Sequence, residues 1–202
     1  MTGKELVLFI KGKLGTAYVY GTKGEILTQK QYDQLKQLYG SLIWESDRKK
    51  IGQICVDCSG LISWATGISR NSQGYHDTAA EVFPISTIEQ APIGAAVWKK
   101  GHIGIYIGNS SYIAADGSAY GVRQAKLSEN SFTHWFLLRD IDYNDHKEEG
   151  IPQKEPLLFN DKTYMVEMIR YQGTTYLKTR DIAAILELDV SSNGKTPILK
   201  TR

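Results

Sequence analysis

The sequence predicts an α+β fold on three observations. Two Thr-headed capping signals and one Asp-headed signal each open a run with helical spacing. The segment from His102 to Ile107 alternates strictly, with Ile103, Ile105 and Ile107 on one face and His102, Gly104 and Tyr106 on the other. No parallel strand–helix–strand unit accompanies them, so a doubly wound sheet is not expected.

The elements follow in order. Thr2-Gly3-Lys4-Glu5 is a capping box leading into an amphipathic helix with Leu6, Phe9, Ile10 and Leu14. Thr28-Gln29-Lys30-Gln31 opens a second helix, carrying Tyr32, Leu35, Leu38 and Tyr39, that stops at Gly40. With residues 41–53 it forms an insert expected to shape one wall of a groove. Asp57 is an N-cap, Cys58 takes the first helical position, and Leu61, Ile62 and Ala65 recur before Gly67 ends the run. Tyr75-His76-Asp77 reads as a surface loop. After the histidine strand come a strand over 111–115, ending at Asp116-Gly117, and an apolar stretch over 132–138 that reads as a buried strand with a structural His134.

Residues 144–156 are dense in charge and contain Gly150, Pro152 and Pro156, which marks a linker with a solvated His146. Domain boundaries are therefore drawn as 1–143, linker 144–156, and a small C-terminal unit 157–202. That unit reads as a hairpin around Asn160-Asp161-Lys162, a strand over 173–177, and a short helix over 179–188 with Ile182, Ile185 and Leu186 on one face. So short a unit is marginal alone, and is expected to dock on the first domain or on a second copy of itself.

Composition excludes several classes. Of 202 residues, 42% are hydrophobic and 23% charged, as in ordinary soluble domains. A net charge of +2 is too mild for nucleic-acid binding, and no apolar run reaches the length of a membrane span.

Cys58 has the placement of a nucleophile. Unpaired amides and the positive end of a helix stabilise a thiolate, lower the thiol pKa and can hold an oxyanion. Gly60 and Ser59 leave the turn unhindered for a substrate carbonyl. His102 offers a base. If the isoleucines face a core, the histidine projects from the other face, where Gly104 leaves room for the Cys58 helix to pack close. Such a pair is what a thiol peptidase requires. Asp116 is the candidate for holding the imidazole in its working tautomer, while Asp116-Gly117 equally reads as a turn. Cys55 makes a CxxC with Cys58, but there is no second ligand pair for zinc and no redox-type βαβ context, so it reads as core. No metal and no cofactor are expected.

Asp57-Cys58-Ser59-Gly60-Leu61, Gly101-His102-Ile103-Gly104-Ile105-Tyr106-Ile107-Gly108 and Leu14-Gly15-Thr16-Ala17-Tyr18-Val19-Tyr20-Gly21 together resemble the NlpC/P60 superfamily of papain-like cell-wall peptidases, over roughly residues 1 to 140. The resemblance implies an α+β fold with the cysteine helix packed on an antiparallel sheet. It implies a peptidoglycan hydrolase, either a stem-peptide endopeptidase or an N-acetylmuramoyl-L-alanine amidase, with a catalytically silent wall-binding protein as the alternative. Cys58 would be the nucleophile, His102 the base and Tyr18 the substrate-site tyrosine, with Asp57 and Ser59 helping to hold substrate. The family's His, Asn or Gln on the strand after the histidine strand corresponds to Ala114. Its Pro-Gly-Asp motif has become Pro92-Ile93-Gly94-Ala95, and the serine that often precedes the histidine is Gly101. Residues 112–123 look like forms found in phage and prophage lysins. No signal peptide precedes the first helix, which gives the expectation of an endolysin made in the cytoplasm and acting at the wall. The C-terminal unit loosely resembles the N-terminal-domain-like modules of copper amine oxidases, with wall binding or homodimerisation as its expected role.

Overall fold

The computed structural model describes residues 1–143, 152–171, 174–194 and 196–201; His146 and residues 144–151 of the predicted linker lie outside the described residues. The chain forms two compact units, Met1–Tyr143 and Asn144–Arg202.

In the first unit, α1 (Gly3–Lys11) carries both halves of its capping box: the Thr2 hydroxyl accepts from the Glu5 amide and the Glu5 carboxylate accepts from the Thr2 amide. Leu6, Val7 and Ile10 are buried, whereas Leu14 lies beyond the helix and is exposed. A short antiparallel pair follows, β1 (Lys23–Ile26) with β2 (Ile54–Val56). Between them α2 (Gln29–Tyr39) is capped by Thr28, but the Gln31 side chain turns to the Glu25 carboxylate at 2.6 Å, so only half of that box forms. Two 3-10 turns, Gly40–Leu42 and Glu45–Lys50, complete the insert.

Next is α3 (Cys58–Thr66), capped by Asp57 and ended by Gly67 in the left-handed conformation at φ 74°. The expected loop around Tyr75-His76-Asp77 is instead a short helix, α4 (Ser72–Asp77). Asn71 caps it by accepting from the Gly74 amide at 2.7 Å, a local bond that the glycine and serine content masks in the sequence.

Six antiparallel strands form the main sheet: β3 (Val82–Pro84), β4 (Ala96–Lys99), β5 (His102–Gly108), β6 (Ser111–Ala115), β7 (Val122–Lys126) and β8 (His134–Phe136). Their spatial order is β3-β8-β4-β5-β6-β7. The stretch over 132–138 contributes three strand residues.

The packing corrects one expectation. The Cys58 helix lies against the isoleucine face, where Cys58, Leu61 and Ile62 share a buried cluster with Ile103, Ile105 and Ile113, and with Leu6 and Ile10 of α1. The His102 face has its own cover. Ala95, Val97, Tyr106, Tyr112, Ala114 and Ala125 pack there with Ile88, Phe132 and Trp135. Tyr106 is accordingly only 4% exposed. Alternation in β5 thus separates two cores rather than core from solvent. The space beside Gly104 is filled by Tyr112 and Ala114 of the next strand, since a Cβ there would lie 2.9 Å from the Tyr112 ring and 3.2 Å from the Ala114 methyl.

Among the described residues of the second unit, β9 (Gln153–Phe159), β10 (Lys162–Tyr171) and β11 (Thr174–Leu177) form a three-stranded antiparallel sheet. Asn160 and Asp161 both adopt positive φ, 47° and 59°, which is the turn geometry that suits the twist of a two-residue hairpin loop. Then come α5 (Thr179–Ile185) and a second hairpin, β12 (Leu188–Asn193) with β13 (Thr196–Thr201). Sequence reading missed that hairpin, whose Leu188, Val190, Ile198 and Leu199 make a weak alternating signal.

Gly60 sits where α3 crosses the strand pair, and a Cβ would lie 2.1 Å from the Thr22 carbonyl oxygen. Its missing side chain serves helix packing rather than substrate approach. Gly60→Ala should therefore cost about 2–3 kcal/mol in urea-denaturation stability, because the overlap is with backbone that cannot rotate away.

Candidate active site

The Asp57 carboxylate organises the site. One oxygen accepts from the Gly60 amide at 2.6 Å and the Ser59 hydroxyl at 3.0 Å; the other accepts from the Gly21 amide at 2.8 Å. The first set caps α3. The last ties that cap to the segment carrying Tyr18, which is further secured by the Val56 amide donating to the Ala17 carbonyl. Ser59 is thereby committed to Asp57, so both residues hold the loop in shape. Burial pushes the Asp57 carboxyl above its ordinary pKa, against the hydrogen bonds from Gly60, Gly21 and Ser59 that favour the ionised form.

Cys58 is 7% exposed and its thiol is reduced. The amides of Ile103, Ser59 and Cys58 itself are directed at the sulfur. Cys58 and Ile103 belong to the same buried cluster, which sets the thiol near the start of β5, where His102 is the preceding residue. Here a second expectation is corrected. Burial, followed by the neighbouring Asp57 charge, pushes the thiol up to about 12, and the three amides only offset part of that rise. A helix terminus stabilises a thiolate most where the sulfur is wet, and this one is not. The balance of these effects favours the protonated thiol.

Tyr18 packs beside α3, and its hydroxyl is raised above its ordinary range by burial, then by the adjacent Cys58 and Asp57. Its main chain is held from the other side by Lys50. That ammonium donates to the Tyr18 carbonyl at 2.6 Å, to Asp47 at 2.7 Å and to the Ser118 carbonyl at 2.9 Å. Asp47, fully buried, also accepts from the Trp44 amide and the Ser118 hydroxyl. A buried pair with every hydrogen bond made is a locating device more than a source of stability. It fastens the insert to the Tyr18 segment and to the turn after Asp116. No local pattern announced it, because its partners come from three separated segments.

His102 opens β5 with its ring stacked on Phe132, centroids 5.7 Å apart and planes 12° apart. Its Nε2 lies 2.9 Å from Asp116 Oδ1. Ile105 pairs with Ile113 and Tyr106 with Tyr112. Continuing that antiparallel register sets Asp116 directly across from His102, on the same face. Ala114 is two residues short of that place and faces Gly104 instead. The other Asp116 oxygen accepts from the Tyr112 hydroxyl and from Arg123 Nε, each at 2.7 Å. Its side chain is 4% exposed. Burial alone would raise the Asp116 carboxyl, but hydrogen bonds from His102, Tyr112 and Arg123 outweigh it and hold the pKa below the ordinary value. Tyr112 is a neighbour that strand alternation could have indicated, four residues before Asp116 on the same face. Arg123 needed the β6–β7 register, which pairs it with Ala114.

Cys55 and Cys58 are divided by the fold. Cys55 is fully buried in a separate cluster with Val19, Leu27, Tyr32 and Ile43. Its thiol is raised to about 11, chiefly by burial. His76 packs on Trp98 with centroids 4.2 Å apart and the rings tilted by 33°, and His134 lies at the edge of the same aromatic group. The structure brings together Tyr18, Asp57, Cys58 and Ser59 on one side, and His102 and Asp116 on the other, with α3 packed against β5 between them.

A reduced thiol at the start of a helix, abutting a strand that carries a carboxylate-bound imidazole, defines a hydrolase fold of the cysteine-peptidase kind. The chain belongs to the NlpC/P60 family, whose profile matches residues 15–139. No curated protein has a sequence that matches it. Several solved structures are similar. The P60 domain of antigen MAP1204 from M. avium subspecies paratuberculosis is 21% identical, with a TM-score of 0.48 over 70% of this chain and 96% of that one. The peptidoglycan hydrolase RipB from Mycobacterium tuberculosis is 22% identical, with a TM-score of 0.47 over 70% of this chain and 65% of that one. NlpC1 from Trichomonas vaginalis is 18% identical, with a TM-score of 0.46; the match spans 67% of this chain but 43% of that protein.

The lowered pKa of Asp116 has a stability consequence. A carboxyl held below its unfolded value contributes stability that is present above the unfolded pKa and lost as pH falls through the folded one. The melting-temperature advantage of the wild type over Asp116→Asn should therefore be full at neutral pH and shrink progressively below about pH 4.

Proposed function

We propose that the protein hydrolyses an amide bond of the peptidoglycan stem peptide, with Cys58 as nucleophile, His102 as general base and acid, and Asp116 as the group that orients the imidazole. The observation that carries this reading is that Cys58 shares a buried cluster with Ile103, the residue after His102 on β5, whose imidazole lies 2.9 Å from Asp116. Membership of the NlpC/P60 family supports peptidoglycan as the substrate class.

The chemistry needs no metal. His102 takes the thiol proton as sulfur attacks the carbonyl carbon, which makes general-base help a requirement for a thiol with a raised pKa. The amides at the start of α3 stabilise the resulting oxyanion. The imidazolium returns its proton to the departing amine nitrogen, leaving a thioester on Cys58. His102 then deprotonates water, which attacks the thioester and releases the carboxylic acid and the thiol. Throughout, Asp116 accepts from Nε2 and leaves Nδ1 for the sulfur. Tyr18 contributes a groove wall beside the thiol, and the Lys50–Asp47 pair fixes its height.

The endolysin form of this reading draws its support from the likeness of residues 112–123 to phage lysins; the site of action is the bacterial cell wall. The C-terminal unit we assign to wall attachment. One face of its sheet carries Leu158, Met165, Tyr171 and Tyr176, all exposed. A catalytic unit working on an insoluble polymer gains from a second point of attachment.

Cys58→Ala should reduce peptidoglycan hydrolysis by roughly a thousandfold or more, whereas Cys55→Ala should retain most activity and lose stability through a small core cavity. Mass spectrometry of the digested wall identifies the bond: free stem peptides mark an amidase, and shortened stems an endopeptidase. Undigested wall from folded wild-type enzyme would refute the hydrolase reading. Truncation after Asn144 should leave cleavage of soluble muropeptides unchanged and weaken co-sedimentation with intact walls. Light scattering that shows a dimer turning monomer would assign the unit to self-association instead.

A further inference from the structure

Asp116 closes a strand and precedes a glycine at φ 110°, where an aspartate would otherwise be free to choose among several side-chain positions. It is not free. Beyond His102, its carboxylate is held by Arg123 Nε and the Tyr112 hydroxyl at 2.7 Å each, both on the oxygen that the imidazole does not use. These two side chains are themselves anchored. The other end of the Arg123 guanidinium meets Glu129 at 3.0 Å, and its plane lies over the Tyr120 ring at 4.6 Å. Glu129 in turn accepts from the Lys126 amide at 2.9 Å, and Tyr112 accepts from Asn130 at 3.2 Å. A line of fixed contacts therefore runs from the turn over 127–130 through Arg123 to the carboxylate and on to the imidazole.

We propose that Arg123 is a positioning residue for catalysis, acting through Asp116 to hold the His102 imidazole in its working orientation; the inference rests on the assignment of His102 as the base. The need for it follows from the sequence. With Ala114 two positions short, the acceptor for His102 comes from a residue at the strand end, where ladder hydrogen bonds no longer fix the backbone on both sides. A guanidinium from the neighbouring strand restores the missing constraint. Its planar fork spans Asp116 and Glu129 at once, a geometry that the point charge of a lysine ammonium reproduces only in part. With Arg123 and Tyr112 both on Oδ2, Oδ1 is left to the imidazole alone.

The test uses the full chain and two readouts: turnover of a purified muropeptide, and the rate of Cys58 alkylation by iodoacetamide, which needs no substrate. Arg123→Met should lower kcat about tenfold with KM within about twofold, and slow alkylation to a similar degree. Arg123→Lys should recover part of both. In an Asp116→Asn background, adding Arg123→Met should cause no further loss beyond about twofold, because a residue acting through Asp116 has nothing left to position. A merely structural arginine would subtract equally in both backgrounds and leave kcat per folded molecule unchanged, and either result would overturn the proposal. Full turnover and alkylation in Asp116→Asn would remove the orienting role of Asp116 and this inference with it. Slow Asp116→Asn alongside normal Arg123→Met would defeat this inference alone. Should no muropeptide be cleaved, the alkylation series still decides the role of Arg123.

Discussion

One carboxylate, that of Asp57, is the junction on which the site depends. It caps α3 through Gly60 and Ser59, and it fastens that cap to the Tyr18 segment through the Gly21 amide at 2.8 Å. An N-cap bond is worth about 1 kcal/mol in an ordinary helix. Here the same group also decides where Cys58 sits, because that residue follows the cap. The helix start, the Tyr18 segment and the thiol are thus located by one side chain that is almost fully buried.

Burying that junction has an electrostatic consequence. Asp57 brings negative character to the base of a thiol already deprived of water, and both effects favour the protonated sulfur. The amides around it counter this only in part. In the second cluster His102 is held by Phe132 and Asp116, and Asp116 by Tyr112 and Arg123. The site is two halves, each satisfied in its own hydrogen bonds, that lie to either side of the α3–β5 packing. Among the described residues no buried side-chain polar atom lacks a partner, which is what a pre-organised site of this kind requires.

The sheet between these halves is covered on both faces, and that explains several sequence features at once. Gly104 is small because Tyr112 and Ala114 occupy its side. Gly60 is small because the Thr22 backbone runs against α3. Neither glycine marks substrate access. The Lys50–Asp47 pair adds a third tie, joining the insert to the Tyr18 main chain and to the turn that follows Asp116.

Local signals in the sequence determined a good deal by themselves. The Thr2, Thr28 and Asp57 caps set helix starts to the residue, because capping is a contact across three positions. Alternation set β5, and the Asn160-Asp161 turn set a hairpin, for the same reason of short range. The motifs around Cys58 and His102 also indicated the family that the profile match shows. What only the tertiary structure decided involves residues far apart in the chain. It chose which face of β5 receives the cysteine helix, since both faces are apolar and periodicity cannot rank two cores. It set the thiol's protonation, which depends on burial and on Asp57 together rather than on helix position alone. It also set Asp116 across from His102 and brought Arg123 to its other oxygen, because strand register is fixed by packing over a whole sheet and not by the residues of any one strand.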